Sequence, residues 1–144
     1  MPPTLIDTSV LARLLERDSP KGRAARCLLE EPRFESAELS LCSQALTEFW
    51  VVATRPRESN GYGLAPADAD ACITDFLDSF GFLPDPPDLF DRWRNLVVSY
   101  GVRGKVAHDA RFVALIQAYG ARRVLTFNAR DFQRYDGIEV IVPQ

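Results

Sequence analysis

The stretch 4-TLIDTSVLARLL-15 decides the fold. Thr4 to Ile6 is a short run of β-favouring residues. Asp7-Thr8-Ser9 follows at once, and all three residue types start helices. Val10, Leu11, Leu14 and Leu15 then recur at helical spacing. A strand that hands over directly to a helix is how an α/β chain opens.

The rest of the chain continues the alternation. The pattern predicts a second helix from about Lys21 to Glu30, stopped by Pro32, and a second strand over Glu38 to Cys42. Ser43 is the expected N-cap of a helix running from Gln44 to about Thr54 and ending at Pro56. The segment 56-PRESNGYGLAP-66 reads as a turn-rich, exposed loop. Pro66 opens a helix to about Ser79, Phe82-Leu83 is a very short strand, and Leu89 to Tyr100 is a further helix. Ala107 to Tyr119 is the last helix, closed by Gly120, and Arg123–Phe127 and Ile138–Val142 are the last strands. Strands alternating with helices imply the α/β class. The expected architecture is a three-layer α/β/α sandwich around a mostly parallel central sheet of four to five strands. No repeat, low-complexity tract or long linker divides residues 1–144, which read as a single domain.

Bulk properties narrow the function. The net charge of -3 argues against general adhesion to nucleic acid. Fifteen Arg stand against two Lys, Lys21 and Lys105, and Arg forks suit phosphate oxygens, although a GC-rich genome produces the same bias. Cys27, Cys42 and Cys72 are odd in number and lack C-x-x-C spacing, so they suggest neither a disulfide framework nor a zinc site and read as small buried hydrophobes. No apolar run approaches the ~20 residues of a membrane span, and MPPTLIDTS carries no basic segment with an h-region. A cytoplasmic protein that does not enter a membrane is expected.

Three acids sit where solvated acids do not. Asp7 ends the first strand. Glu48 shares a helix face with Ala45, Phe49 and Val52, and Asp109 stands one turn before Phe112 and Val113. A carboxylate on a core-facing stripe is costly unless it is paired or binds a metal. Each has a plain structural alternative: Asp7 as an N-cap, Asp109 as a partner of the positive helix end, Glu48 reaching solvent from the edge of its stripe. In 124-VLTFNARDFQRY-135, Asn128 and Asp131 follow a strand directly, and they read either as a cap with a variant capping box or as lining for an acidic site. In a parallel sheet the ends of the first strand and of 123–127 share one edge, so all five residues can converge there. Carboxylates gathered without a protein cation point to a hard divalent ion such as Mg²⁺. Two such ions ~3.5–4 Å apart would polarise a phosphodiester.

The set 5-LIDTSVL-11, 46-LTEFW-50, 107-AHDARFVAL-115 and 125-LTFNARDF-132 resembles the PIN domain, and within it the VapC-type toxins of bacterial toxin–antitoxin pairs. Four motifs in the right order across nearly the whole chain carry the resemblance. It implies a PIN-like, flavodoxin-like sandwich and a metal-dependent endoribonuclease that uses Mg²⁺ or Mn²⁺. Residue by residue, Asp7, Glu48 and Asp109 match the core acids. The fourth acidic position falls at Asn128, a departure, and Asp131 one turn later supplies the charge. Thr8 or Ser9 and Thr126 match the small polar residues that steady the acids. The resemblance also implies an RNA substrate, a homodimer and a small antitoxin whose C-terminal segment fills a groove beside the site.

His108, the single histidine, points about 100° away from Asp109 on a helix, so it reads as an outer or surface residue rather than a base. An aspartyl phosphatase would need a second acid where Ser9 stands, and a phosphoacceptor receiver would need a Lys at a strand end. The rival that stays open is a catalytically weak PIN-like module that binds RNA or protein.

Overall fold

A computed structural model describes residues 2–34 and 38–144. Five strands lie among them: β1 (Thr4–Ile6), β2 (Leu39–Cys42), β3 (Gly81–Leu83), β4 (Arg123–Leu125) and β5 (Glu139–Ile141). The six helices are α1 (Thr8–Arg13), α2 (Pro20–Leu29), α3 (Ser43–Thr54), α4 (Pro66–Ser79), α5 (Leu89–Ser99) and α6 (Ala107–Ala118). Every strand pair is parallel, in the order β3-β2-β1-β4-β5. The α/β sandwich expected from the alternation is therefore the fold.

The order of the strands places the helices. The chain moves outward from β1 to β2 to β3, and right-handed crossovers put α1 to α4 on one face of the sheet. It then jumps from β3 back to β4 beside β1, which puts α5 and α6 on the other face. The packing agrees: α1 lies on α2 and α3, α3 on α4, and α5 on α6. The direction of winding reverses between β1 and β4. That switch point opens a crevice beyond the carboxyl ends of these two strands, the usual seat of a ligand in an open α/β sheet.

The central strands are apolar because both their faces are covered. Leu5, Ile6, Leu39, Leu41, Val124 and Leu125 are buried, and Val10, Leu11, Phe49, Phe112, Val113 and Ile116 cover them from the helices. Phe49 packs edge-on against Phe76 and Phe112 against Phe132, one aromatic pair on each face.

Local boundaries differ from the sequence reading where side chains compete for the backbone. Cys42, not Ser43, is the N-cap of α3, its Sγ accepting from Ala45 N at 3.5 Å, while Ser43 Oγ bonds Asp85. Ser19 caps α2 through Gly22 N, so that helix starts one residue earlier than expected. α1 stops at Arg13, leaving Leu14 and Leu15 in the following turn. β4 ends at Leu125 because Thr126 and Phe127 turn into the site. Gly120 closes α6 with φ +66, as its position predicts. Of the three cysteines, Cys42 is buried and Cys72 partly so. Cys27 is exposed on the outer side of α2, which corrects its reading as a buried residue.

Candidate active site

Asp7 stands one residue past β1, at the N-cap position of α1. Its side chain makes no cap bond; its Oδ2 instead accepts from Ser9 Oγ at 2.8 Å and from Thr126 Oγ1 at 2.7 Å. Each hydroxyl has one proton and spends it on Asp7. Each then accepts a backbone amide: Phe127 N to Ser9 Oγ at 2.9 Å, and Asn128 N to Thr126 Oγ1 at 2.9 Å. The turn after β4 is thereby fastened to the start of α1 across the switch point. Asp7 is only 6% exposed. Burial raises its pKa, and the hydrogen bonds from Thr126 and Ser9 oppose that rise.

Glu48 lies in the second turn of α3, half-buried. Thr8 Oγ1 shares its single proton between Ala45 O at 3.0 Å and Glu48 Oε2 at 3.2 Å, and Gln44 Nε2 donates to Glu48 Oε1 at 3.3 Å. Gln44 is held in turn by Arg111 Nη1 at 3.1 Å, and Arg111 pairs with Asp85 at 2.8 Å. A chain of contacts thus runs from the surface to Glu48. Sequence reasoning did not single out Gln44; its place one helical turn before Glu48 was the available signal.

Asp109 occupies the first turn of α6. That helix runs back toward the start of β4, so its first turn stands at the same sheet edge as Asp7. The Asp109 carboxyl is pushed up from 3.8 to about 7. Burial is the largest cause, followed by the charges of Asp131, Asp7 and Glu48, with Arg134 opposing. The three other acids act on Asp109 together, which is the convergence that the sequence pattern suggested.

Asn128 and Asp131 bracket a short 3-10 turn, Ala129–Asp131. Asn128 is at its N-cap position but its side chain makes no cap bond, so the capping box does not form. Asp131 is half-buried and Asn128 is exposed. Both line the same cleft as Asp7, Glu48 and Asp109, an opening of about 1120 Å³. His108 does not line it. Its side chain is exposed toward a second, apolar pocket beside Trp93, and its carbonyl accepts from Gln44 Nε2 at 2.8 Å.

Cations also line the cleft: Arg13, Lys21, Arg55, Arg57 and Lys105. Arg13 is bound to Glu16 at 3.1 Å, and the Tyr62 hydroxyl closes on the same carboxylate. Burial pushes the Tyr62 phenol up to about 12, with Glu16 adding to the effect. Arg55, Arg57 and Tyr62 belong to the segment read as an exposed loop or to its border, and sequence reasoning left them out of the site. The donor set fits a hard cation: oxygen ligands on two adjacent strand ends and two helices, with an acid whose raised pKa positive charge would lower. Among the described residues no three acidic, His or Cys side chains close on one point at coordinating distance. The fit is therefore to an ion held by one or two carboxylates and completed by water and substrate oxygens, the ordinary habit of Mg²⁺.

The chain matches the family model described as the PIN domain over residues 4–138. Among curated proteins none matches it in sequence. Solved structures share its fold. VapC20 of Mycobacterium tuberculosis, described as a sarcin–ricin loop cleaving toxin, has 18% identity and a TM-score of 0.63, with 86% of this chain and 87% of that chain covered. DNA-bound VapBC from Salmonella typhimurium has 18% identity and a TM-score of 0.70, covering 99% and 98%. FitAcB from Neisseria gonorrhoeae has 17% identity and a TM-score of 0.69, covering 96% of each chain.

Proposed function

The chain belongs to the PIN domain family, and from that premise we propose that it is an endoribonuclease, dependent on Mg²⁺ or Mn²⁺, that acts as the toxin of a toxin–antitoxin pair. The observation that carries the reading is the meeting of Asp7, Glu48, Asp109 and Asp131 in one cleft at the switch point of the sheet, close enough for the other three to push the Asp109 carboxyl up. Asp7, Glu48 and Asp109 would surround the cation, one or two of them as direct ligands and the rest through water, with Asp131 as an outer ligand. When bound, it would polarise the scissile phosphate and make water a competent nucleophile near neutral pH.

The chain's own residues do the positioning. Ser9 and Thr126 fix the rotamer of Asp7 through Oδ2, and Thr8 and Gln44 fix Glu48. Positive charge in the cleft would favour the ionised form of Asp109. No side chain is needed as general base, in keeping with His108 facing elsewhere.

RNA is favoured as substrate because a protein of the same fold is described as cleaving the sarcin–ricin loop. The antitoxin would seat an amphipathic helix in the apolar groove between α3 and α4, lined by Leu46, Trp50, Val51 and Ile73. Val51 lines both this groove and the catalytic cleft, so an occupant there would adjoin the acids. Homodimerisation belongs to the same proposal, through the exposed apolar side chains Phe90 and Val98 of α5. A site in the cytoplasm follows from an RNA target; among the described residues no helix is long and apolar enough to cross a membrane.

The test is cleavage of single-stranded RNA by the purified protein with Mg²⁺, Mn²⁺ or excess EDTA. Cuts are expected with either ion and none in EDTA, and Asp7→Asn should lower the rate by at least ~10²-fold. Cleavage that persists in EDTA would refute the metal mechanism. RNA binding with no cleavage under any condition would leave the binding module, which the neutral Asn128 at the fourth acidic position favours.

A further inference from the structure

Five carboxylates and five cations share the catalytic cleft, yet only Arg13 and Glu16 pair among the described residues. The separation is built into α3 and the loop after it. Glu48 and Arg55 are seven residues apart, so they lie on one helix face, two turns or ~10 Å along the axis. Val51 and Val52 occupy the space between them and also face the cleft.

The loop that carries Arg55 and Arg57 is constructed rather than slack. It folds back on the end of α3 through Gly61 N to Pro56 O, Tyr62 N to Val52 O, Gly63 N to Arg55 O and Leu64 N to Ala53 O, all at 2.9–3.1 Å. Asn60 takes the left-handed conformation with φ 63. Gly61 leaves no room for a side chain, since a Cβ there would stand 1.9 Å from Arg55 O. Arg55 Nη2 donates to Asn60 O at 3.0 Å, but its Nε is buried with no acceptor. A buried guanidinium donor without a partner is costly, but this Nε is shielded, so it is the Nη end of the Arg55 fork, at the cleft, that an outside acceptor would meet. Arg57 is exposed and its side chain runs along Gly63, with no carboxylate partner among the described residues.

A plain structural role accounts for part of this, because a cation at the C-terminal end of α3 complements the helix dipole. It does not account for Arg57, nor for two guanidiniums kept clear of the acids in the same cleft. We propose that Arg55 and Arg57 form a phosphate-binding wall that grips the RNA backbone a nucleotide or two away from the bond that is cut. Its planar forks are suited to phosphate oxygens. The inference rests on the ribonuclease reading and adds the direction in which the strand leaves the acids: along α3 toward its C-terminal end.

Steady-state cleavage of a fluorescein-labelled single-stranded RNA in Mg²⁺ tests it, run at several salt concentrations with wild type, Arg57→Ala, Arg55→Lys, Arg55→Gln and the surface control Arg94→Ala. Loss of one phosphate contact should reduce the slope of log(kcat/KM) against log salt by about 0.7. Arg57→Ala and Arg55→Gln are expected to show that reduction with KM raised roughly three- to ten-fold and kcat nearly kept. Arg55→Lys should retain most of the slope and Arg94→Ala all of it. A slope in Arg57→Ala equal to that of Arg94→Ala overturns the wall while leaving the nuclease intact, and would assign the guanidiniums to another partner, such as an acidic peptide. If the wild type cuts no RNA with either ion, the ribonuclease reading fails, and the wall as an RNA grip fails with it.

Discussion

Asp109→Asn should make the metal-free protein more stable and the enzyme inactive. The folded chain raises this carboxyl from 3.8 to about 7, through burial first and then Asp131, Asp7 and Glu48. Between those values the folded state keeps a proton that the unfolded chain has released. Stability therefore falls as pH rises through that window, and the loss is complete above about 7. At about 1.4 kcal/mol per pH unit the whole interval would be worth about 4 kcal/mol. The side chain is only half-buried, and screening by solvent reduces the expected effect to about 1–2 kcal/mol. An amide has no charge to suppress and escapes the penalty. At pH 8 in EDTA the variant should melt roughly 3–8 °C above wild type, and the gap should close as pH approaches 4. Mg²⁺ should raise the melting temperature of the wild type more than that of the variant, because a ligand stabilises only the state that binds it. Thermal denaturation across pH, with and without the ion, measures all of this. A variant that melts below wild type at pH 8, or a gap that does not change with pH, would refute the argument from clustered charge.

Thr126→Val removes a donor to buried Asp7 and the acceptor of Asn128 N, so denaturant titration should show a loss of about 1–3 kcal/mol, with cleavage falling as Asp7 loses its fixed rotamer. Asn128→Ala should change stability by less than ~0.5 kcal/mol, because the side chain makes no cap bond; a loss near 1–2 kcal/mol would show that it does cap. Asp131→Asn removes the largest charge acting on Asp109, so the Asp109 titration followed by NMR should move to lower pH, while the Mg²⁺ concentration for half-maximal cleavage should rise. Gly61→Ala places a Cβ against Arg55 O, and thermal melting should show a loss of about 1–3 kcal/mol together with a raised KM.

The sequence by itself was enough for the class of fold and for picking out acids that meet in one cleft. Short β-favouring runs that pass directly into helices left little choice but a parallel sheet covered on both faces. A carboxylate beside Phe112 and Val113, or beside Ala45 and Phe49, is anomalous in one dimension, because burial of charge is costly wherever the chain goes. Alternation also located all five strands to within a residue or two, since periodicity is a local property.

What periodicity does not carry is the order of the strands and the fate of individual caps. β4 lies beside β1, so Thr126 and Asp7 meet across 119 positions of sequence, and this pairing turns two hydroxyls into a clamp on one carboxylate oxygen. Asn128 looks like a cap because its residue type and spacing are right, but the Asp131 N–H it would cap is taken by Asn128's own carbonyl at 3.0 Å, and Thr126 Oγ1 takes the Asn128 N–H that Asp131 would accept in a capping box. The loop after α3 reads as exposed because it is rich in Gly, Asn and Pro. The tertiary structure makes it a wall of the cleft by returning it onto α3 through backbone bonds, which involve no side chain and so leave little trace in composition. Charge placement follows the same rule: which cations face Asp7 and which stand two helical turns from Glu48 depends on the packing of α1, α3 and α6 around one sheet edge, a relation that only the folded chain defines.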